Sequence, residues 1–125
     1  MTLAKSLPTT PEALPGQAPG VSITPALGGL PPQTLAQIQA ALVSFPQIRW
    51  LKLYGSRAMG NYRPGSDIDL AFSSPVDYTA QLAGAFEELP IPYLVDVTHW
   101  ESLAHDGLRK HIEQVGLLLY GSERV

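Results

Sequence analysis

Between Pro31 and Pro46, apolar side chains recur at Leu35, Ile38, Leu42 and Phe45, the spacing of one helix face. Pro31 and Pro32 suit the first positions of such a helix, and Pro46 stops it. Ile48–Tyr54 then reads as a strand rich in aromatic and branched side chains. Ile48, Trp50 and Tyr54 share one face, interrupted by Lys52, while Leu51 and Leu53 share the other with Arg49. Apolar positions on both faces predict a strand covered on both sides. Gly55–Ser66 is a loop with a short helical turn near Ala58, and Arg63-Pro64-Gly65-Ser66 has the composition of a type II turn. Asp67–Ser73 is a second strand. Ser74 and Pro75 predict an N-cap and first turn for a helix running to Leu89, closed by Pro90. Tyr93–His99 is a third strand. Asp106 caps a last helix through Val115, with Leu108, Ile112 and Val115 as its stripe and Gly116 as its stop. Leu117–Tyr120 forms a short fourth strand. This alternation predicts an α/β (α+β) fold, a small sheet flanked by helices.

Residues 1–30 lie outside this pattern. Seven of the twelve prolines fall between Pro8 and Pro32, among Gly16, Gly20, Gly28 and Gly29. Such a stretch buries too little apolar surface to order itself, so a flexible tail over 1–30 and one domain over 31–125 are expected. The 125 residues suit one domain, and 45% apolar residues suffice for a core. A net charge of −3 without a basic stripe argues against broad binding to nucleic acid. The absence of cysteine excludes disulfides, thiolate metal sites and cysteine nucleophiles. No stretch approaches the roughly 20 apolar residues of a membrane span, and the early prolines interrupt any secretory signal. A cytoplasmic protein is expected.

The chemistry concentrates in Gly55–Asp69. Asp67 and Asp69, two apart on a strand, point to one face roughly 6.5 Å apart. Carboxylates on a mostly buried strand are costly unless neutralised, and a hard divalent cation such as Mg²⁺ does this through oxygen ligands. Asp96, between Val95 and Val97, is equally out of place in an apolar strand. If the third strand lies beside the second, all three carboxylates can converge into a two-metal phosphoryl-transfer site. Gly55 and Ser56 open a tight turn after a strand, offering close backbone approach, N–H donors and a hydroxyl to a phosphate. Arg57 and Arg63 could complement phosphate charge. Taken singly these features are weak. Gly-Ser turns are commonplace, alternating Asp residues usually mark a solvated face, and Asp96 could instead pair with a cation. No Walker A sequence is present.

Taken together, Gly55-Ser56, ten residues, then Asp67-x-Asp69 matches the G-S-x₁₀-D-x-D motif of the polymerase-β-type nucleotidyltransferase superfamily. The stretch GSRAMGNYRPGSDIDL resembles the minimal nucleotidyltransferases of bacteria and archaea, over about Ile48 to Tyr120. The resemblance implies a polymerase-β-like palm fold and nucleotide binding by Gly55, Ser56, Arg57, Arg63 and Ser66. It implies catalytic metal ligation by Asp67, Asp69 and Asp96, with two Mg²⁺ ions and ATP as substrate. It also implies a separate helical partner, either a HEPN-type toxin adenylylated on a tyrosine or a substrate-binding subunit. The chain departs from the pattern at Met59, where many members carry a basic residue.

Three functions follow from that resemblance. The first is an antitoxin that transfers AMP to its toxin. The second is transfer to a small molecule, for which the chain lacks an acceptor domain. The third is neutralisation of the partner by contact alone. Elsewhere, His99, His105 and His111 are too scattered for a metal motif, and His99, near Asp96 on its strand, reads as a surface or satisfied histidine sooner than as one lining the site. Trp50, Tyr54 and Tyr62 read as packing residues, Glu101 and Asp106 as helix-start residues.

Overall fold

The computed structural model describes residues 27–122. The expected tail therefore lies mostly outside the described residues, but its last four do not. Leu27–Gly29 form a 3₁₀ turn and Leu30 is fully buried, so packing begins before residue 31.

Helix α1 spans Pro32–Ala41, with Pro31 as its cap and Thr34, Leu35 and Ile38 buried. Regular α geometry ends earlier than the apolar spacing predicted. Leu42–Ser44 tighten into a 3₁₀ turn, and Phe45, restricted by the following Pro46, leaves the helix. Strand β1, Trp50–Tyr54, is buried at all five positions, as its two apolar faces predicted. Ile48 lies before the strand and joins the core on the Leu51 and Leu53 side, not the Trp50 side.

Helix α2, Gly55–Met59, follows without a gap and ends at Gly60 in the left-handed conformation. Ser66 N–H closes the next turn onto Arg63 O at 3.0 Å. This turn is not type II, because Gly65 is not among the positive-φ glycines. The Arg63 carbonyl also accepts from Gly65 N–H, which tightens the turn.

Strand β2 is Ile68–Ser73 and strand β3 is Val95–His99. Between them, helix α3 occupies only Thr79–Glu87. Ser74 does not cap it. Its hydroxyl accepts from Val76 N–H, its amide is held by Glu101 and its carbonyl by His99, so the chain bends at Pro75 and Val76 before the helix can start. Asp77 instead accepts from Thr79 N–H at the helix start. Helix α4, Asp106–Val115, has the expected length, but the capping side chain is His105, whose Nδ1 accepts from Leu108 N–H at 3.0 Å. Gly116 ends α4 in an extended conformation. Strand β4 is Leu117–Gly121.

The sheet order is β3-β2-β1-β4, with β2–β3 parallel and the other pairs antiparallel. A register shift beside Leu51 and Lys52 makes a bulge in β4, and Gln39 donates to the Leu119 carbonyl there at 2.8 Å. One sheet face carries Leu51, Leu53, Leu70 and Phe72 beneath α1 and α3. The other carries Trp50, Tyr54 and Ala71 against Ile112 of α4. Lys52 sits in this second face with its ammonium 4.8 Å from the Trp50 ring. The result is the mixed, helix-flanked α+β sheet expected. Among the described residues no helix is long and apolar enough to cross a membrane.

Candidate active site

Alternation along a strand places Asp69 on the same sheet face as Tyr54, its register partner on β1. On the other side, parallel pairing sets Asp69 directly against Asp96 of β3. Asp67 precedes β2 by one residue, at the same end. The structure thus brings the three acids together at one end of the α4-covered face. Asp69 is half-buried; Asp96 is exposed on β3, an edge strand, and Asp67 is exposed on the loop before β2. Burial raises the Asp69 carboxyl above its ordinary 3.8, and repulsion from Asp96 and then Asp67 pushes it further, against a smaller opposing effect of His111.

The Gly-Ser turn is built around this group. Gly55 has φ 75°, and a Cβ placed on it would collide with Asp69 Oδ2. Glycine is therefore required twice, for its backbone angle and for its contact with the carboxylate. Its amide is already engaged, donating to His111 Nε2 at 3.0 Å. The Ser56 carbonyl accepts from Gly60 and Asn61, and its residue is half-buried at the turn.

Arg57 departs from the role expected of it. Its side chain is buried, with Nε and one terminal nitrogen donating to Ser66 O and the other to Gly28 O at 2.8 Å. Its guanidinium lies between the rings of Tyr62 and Tyr93, at 5.1 and 4.9 Å. Arg57 braces the loop and is not free to meet a phosphate. Tyr62 is engaged in the same stack. Arg63 is exposed on the loop, and Ser66 Oγ accepts from Arg63 N–H at 2.8 Å, so its hydroxyl serves the turn.

Tyr54 hydroxyl and Thr98 Oγ1 lie 3.1 Å apart. Burial raises the Tyr54 phenol above 10.0, and Asp69 and Asp96 add to this against the Thr98 hydrogen bond. Thr98 went unremarked in the sequence, although its position two beyond Asp96 puts it on the same face. His111 also went unremarked as a site residue. It lies 56 positions from Gly55, and only the packing of α4 brings them together. His99 is buried away from the acids, with Nδ1 2.7 Å from Ser102 Oγ and Nε2 2.8 Å from Ser74 O. Glu101 does more than start a helix. Its carboxylate accepts from Ser73 hydroxyl, Ser74 amide and Arg49.

As they stand, no group of three His, Asp or Glu side chains among the described residues is arranged to hold a metal ion. The donor chemistry nonetheless fits a hard divalent cation. The carboxylates are oxygen donors on adjoining segments, two are open to solvent, and their mutual repulsion is what a cation relieves.

The family model for polymerase beta nucleotidyltransferases matches residues 36–125, which include every strand of the sheet. The "Probable protein adenylyltransferase MntA" of Haemophilus influenzae is 35% identical over 75 residues, 57% of this chain and 65% of its own length. The chain thus spans slightly less than two thirds of that relative. A crystal structure described as a toxin-antitoxin with AMP-PNP aligns with TM-score 0.55 and 23% identity, over 71% of this chain and 74% of its own. A structure of a tri-AMPylated Shewanella oneidensis HEPN toxin with its MNT antitoxin aligns with TM-score 0.50 and 21% identity, over 73% and 72%. At these identities the two structures speak to the fold, and the fold is the same mixed sheet. With Gly55 backed onto Asp69 inside the matched region, the chain belongs to the polymerase beta nucleotidyltransferase family.

Proposed function

We propose that this chain is a Mg²⁺-dependent protein adenylyltransferase that moves AMP from ATP onto a tyrosine hydroxyl of a helical HEPN-type toxin, and so acts as its antitoxin. The observation that carries the reading is the register of Asp69 against Asp96, with Gly55 held on Asp69. The MntA-like relative and the toxin-antitoxin neighbours support the choice of a protein acceptor and of AMP. A chain without cysteine is at home in the cytoplasm.

The reaction is a displacement at the α-phosphorus. The acceptor oxygen forms the new P–O bond, pyrophosphate leaves, and the acceptor proton passes to solvent or to a carboxylate. Bound Mg²⁺ supplies charge neutralisation at the phosphates and polarises the reacting oxygens. Asp67 and Asp69 would hold the ion that meets the triphosphate, and Asp96 would join them at the second. The exposed positions of Asp67 and Asp96 leave that end of the sheet open to an acceptor. Ser56 and Arg63 are the loop groups that would meet phosphate, Ser56 opening the turn and Arg63 exposed on the loop. Gly55 contributes close approach rather than a donor, because His111 takes its N–H.

The test is incubation with Mg²⁺, ATP labelled at the α-phosphate and extract of the host cell, beside an Asp67→Asn/Asp69→Asn double variant. Label on one protein band with the wild type alone, found by mass spectrometry as AMP on tyrosine, is the expected result. Label in a small-molecule fraction would replace the protein acceptor with a small one. No label, in an extract where the chain holds a helical partner, would leave neutralisation by contact.

A further inference from the structure

We propose that His111 is a positioning residue of the nucleotide site: it holds the Gly-Ser turn at its working distance from the carboxylates. Two contacts meet at its ring. Nε2 accepts the Gly55 N–H at 3.0 Å. The ring packs edge-on against Tyr54, with centroids 6.0 Å apart and planes at 82°. Gly55 lies between His111 and Asp69, with its amide on the ring and its α-carbon against Asp69 Oδ2.

A turn at φ 75° with no side chain has many alternatives, and glycine loses more freedom than any other residue when it is fixed. Helix α2 has only 5 residues, too few to hold itself. Something outside the turn must fix the first amide, and α4 does so through His111. An acceptor Nε2 requires the neutral ring with its proton on Nδ1. The same ring fixes Tyr54, whose hydroxyl reaches Thr98 two residues from Asp96. His111 thereby links the turn to both carboxylate-bearing strands. Its functional consequence rests on the nucleotidyl-transfer reading, but the hydrogen bond does not.

The experiment compares wild type, His111→Leu and His111→Gln, the last keeping an acceptor at the end of a side chain of similar reach. In the wild type, NMR should show a scalar coupling between Gly55 ¹⁵N and His111 ¹⁵Nε2. In His111→Leu the Gly55 amide should exchange faster, and binding of Mg²⁺-ATP, measured by calorimetry, should weaken about fivefold to tenfold, the worth of one hydrogen bond. His111→Gln should recover most of both. Absence of the coupling, or a His111→Leu variant with wild-type Gly55 exchange and nucleotide affinity, overturns the assignment. If His111→Leu does not fold, recovery or loss of the two readouts in His111→Gln decides the matter alone. A wild type that shows the coupling but binds no nucleotide would remove the nucleotidyl-transfer reading and leave the bond in place.

Discussion

The two arginines of the loop have opposite fates. Arg57 is buried among Ser66 O, Gly28 O and the faces of Tyr62 and Tyr93. Among the described residues no carboxylate pairs with it, and carbonyl oxygens and ring faces offset the cost of burying its charge. Arg57→Met, of similar length, leaves these acceptors unmet and should destabilise the fold by about 3 kcal/mol. Arg63→Ala at an exposed position should stay within about 0.5 kcal/mol of wild type. Urea unfolding of the two variants checks this, and an unchanged midpoint for Arg57→Met would return Arg57 to the list of free phosphate ligands. The spacing of Gly55, Ser56, Asp67 and Asp69 is local and therefore visible in the sequence, and the fold sets Gly55 against Asp69. Arg57 was misread because its partners, Gly28 and Tyr93, come from segments that no local spacing relates to it. His111, set aside as too scattered for a metal motif, meets Gly55 for the same reason only in the fold.

The elements themselves were largely legible, since apolar periodicity reports which face is buried. Their limits and partners were less so. The early start assigned to α3 failed because Ser74 has tertiary partners that outbid a local cap. Nor does the order of elements say that β2 pairs parallel with β3 and antiparallel with β1, which is what sets Asp69 against Asp96. The opposite end of these strands is tied by Glu101, just past β3, which binds Ser73 and Ser74 beyond the middle of the sheet. Burial raises the Glu101 carboxyl, but hydrogen bonds from Ser73, the Ser74 amide and its own amide outweigh this, and the net is below its ordinary 4.5. A lowered folded value means that the stability Glu101 contributes is complete above its unfolded value. That stability is lost as pH falls through the lower folded value. The ion pair with Arg49, 3.3 Å long between half-exposed side chains, adds little. Glu101→Gln should therefore be less stable than wild type at neutral pH, and the two should converge on acidification below about 4.5. Parallel denaturation curves from pH 7 to 3 measure this, and a gap constant with pH would rule out the charge as the source.

At the scale of the molecule, the two sheet faces are unequally covered. Helices α1 and α3 close one face, while α4 packs on the other from Trp50 to Tyr54 and leaves Asp67 and Asp96 exposed. The closed face determines where the domain begins. Leu30 is packed in the core and fully hidden from water, and Gly28 O anchors Arg57 beside the loop that leads to Asp67. The composition placed the boundary after residue 30 because Gly28 and Gly29 look like linker. In the structure both are held at positive φ, Gly28 against Leu53 and Gly29 against Tyr62. A chain starting at Leu27 keeps these contacts, and a chain starting at Pro31 loses them. Removing a buried leucine costs roughly 2–3 kcal/mol, and the lost Arg57 hydrogen bond adds about 1 or more. For a domain of this size the shorter chain should melt roughly 10 °C or more below the longer one. Thermal unfolding of the two truncations, followed by circular dichroism, checks this. Equal midpoints would place the boundary after residue 30 and remove Gly28 from the support of the site.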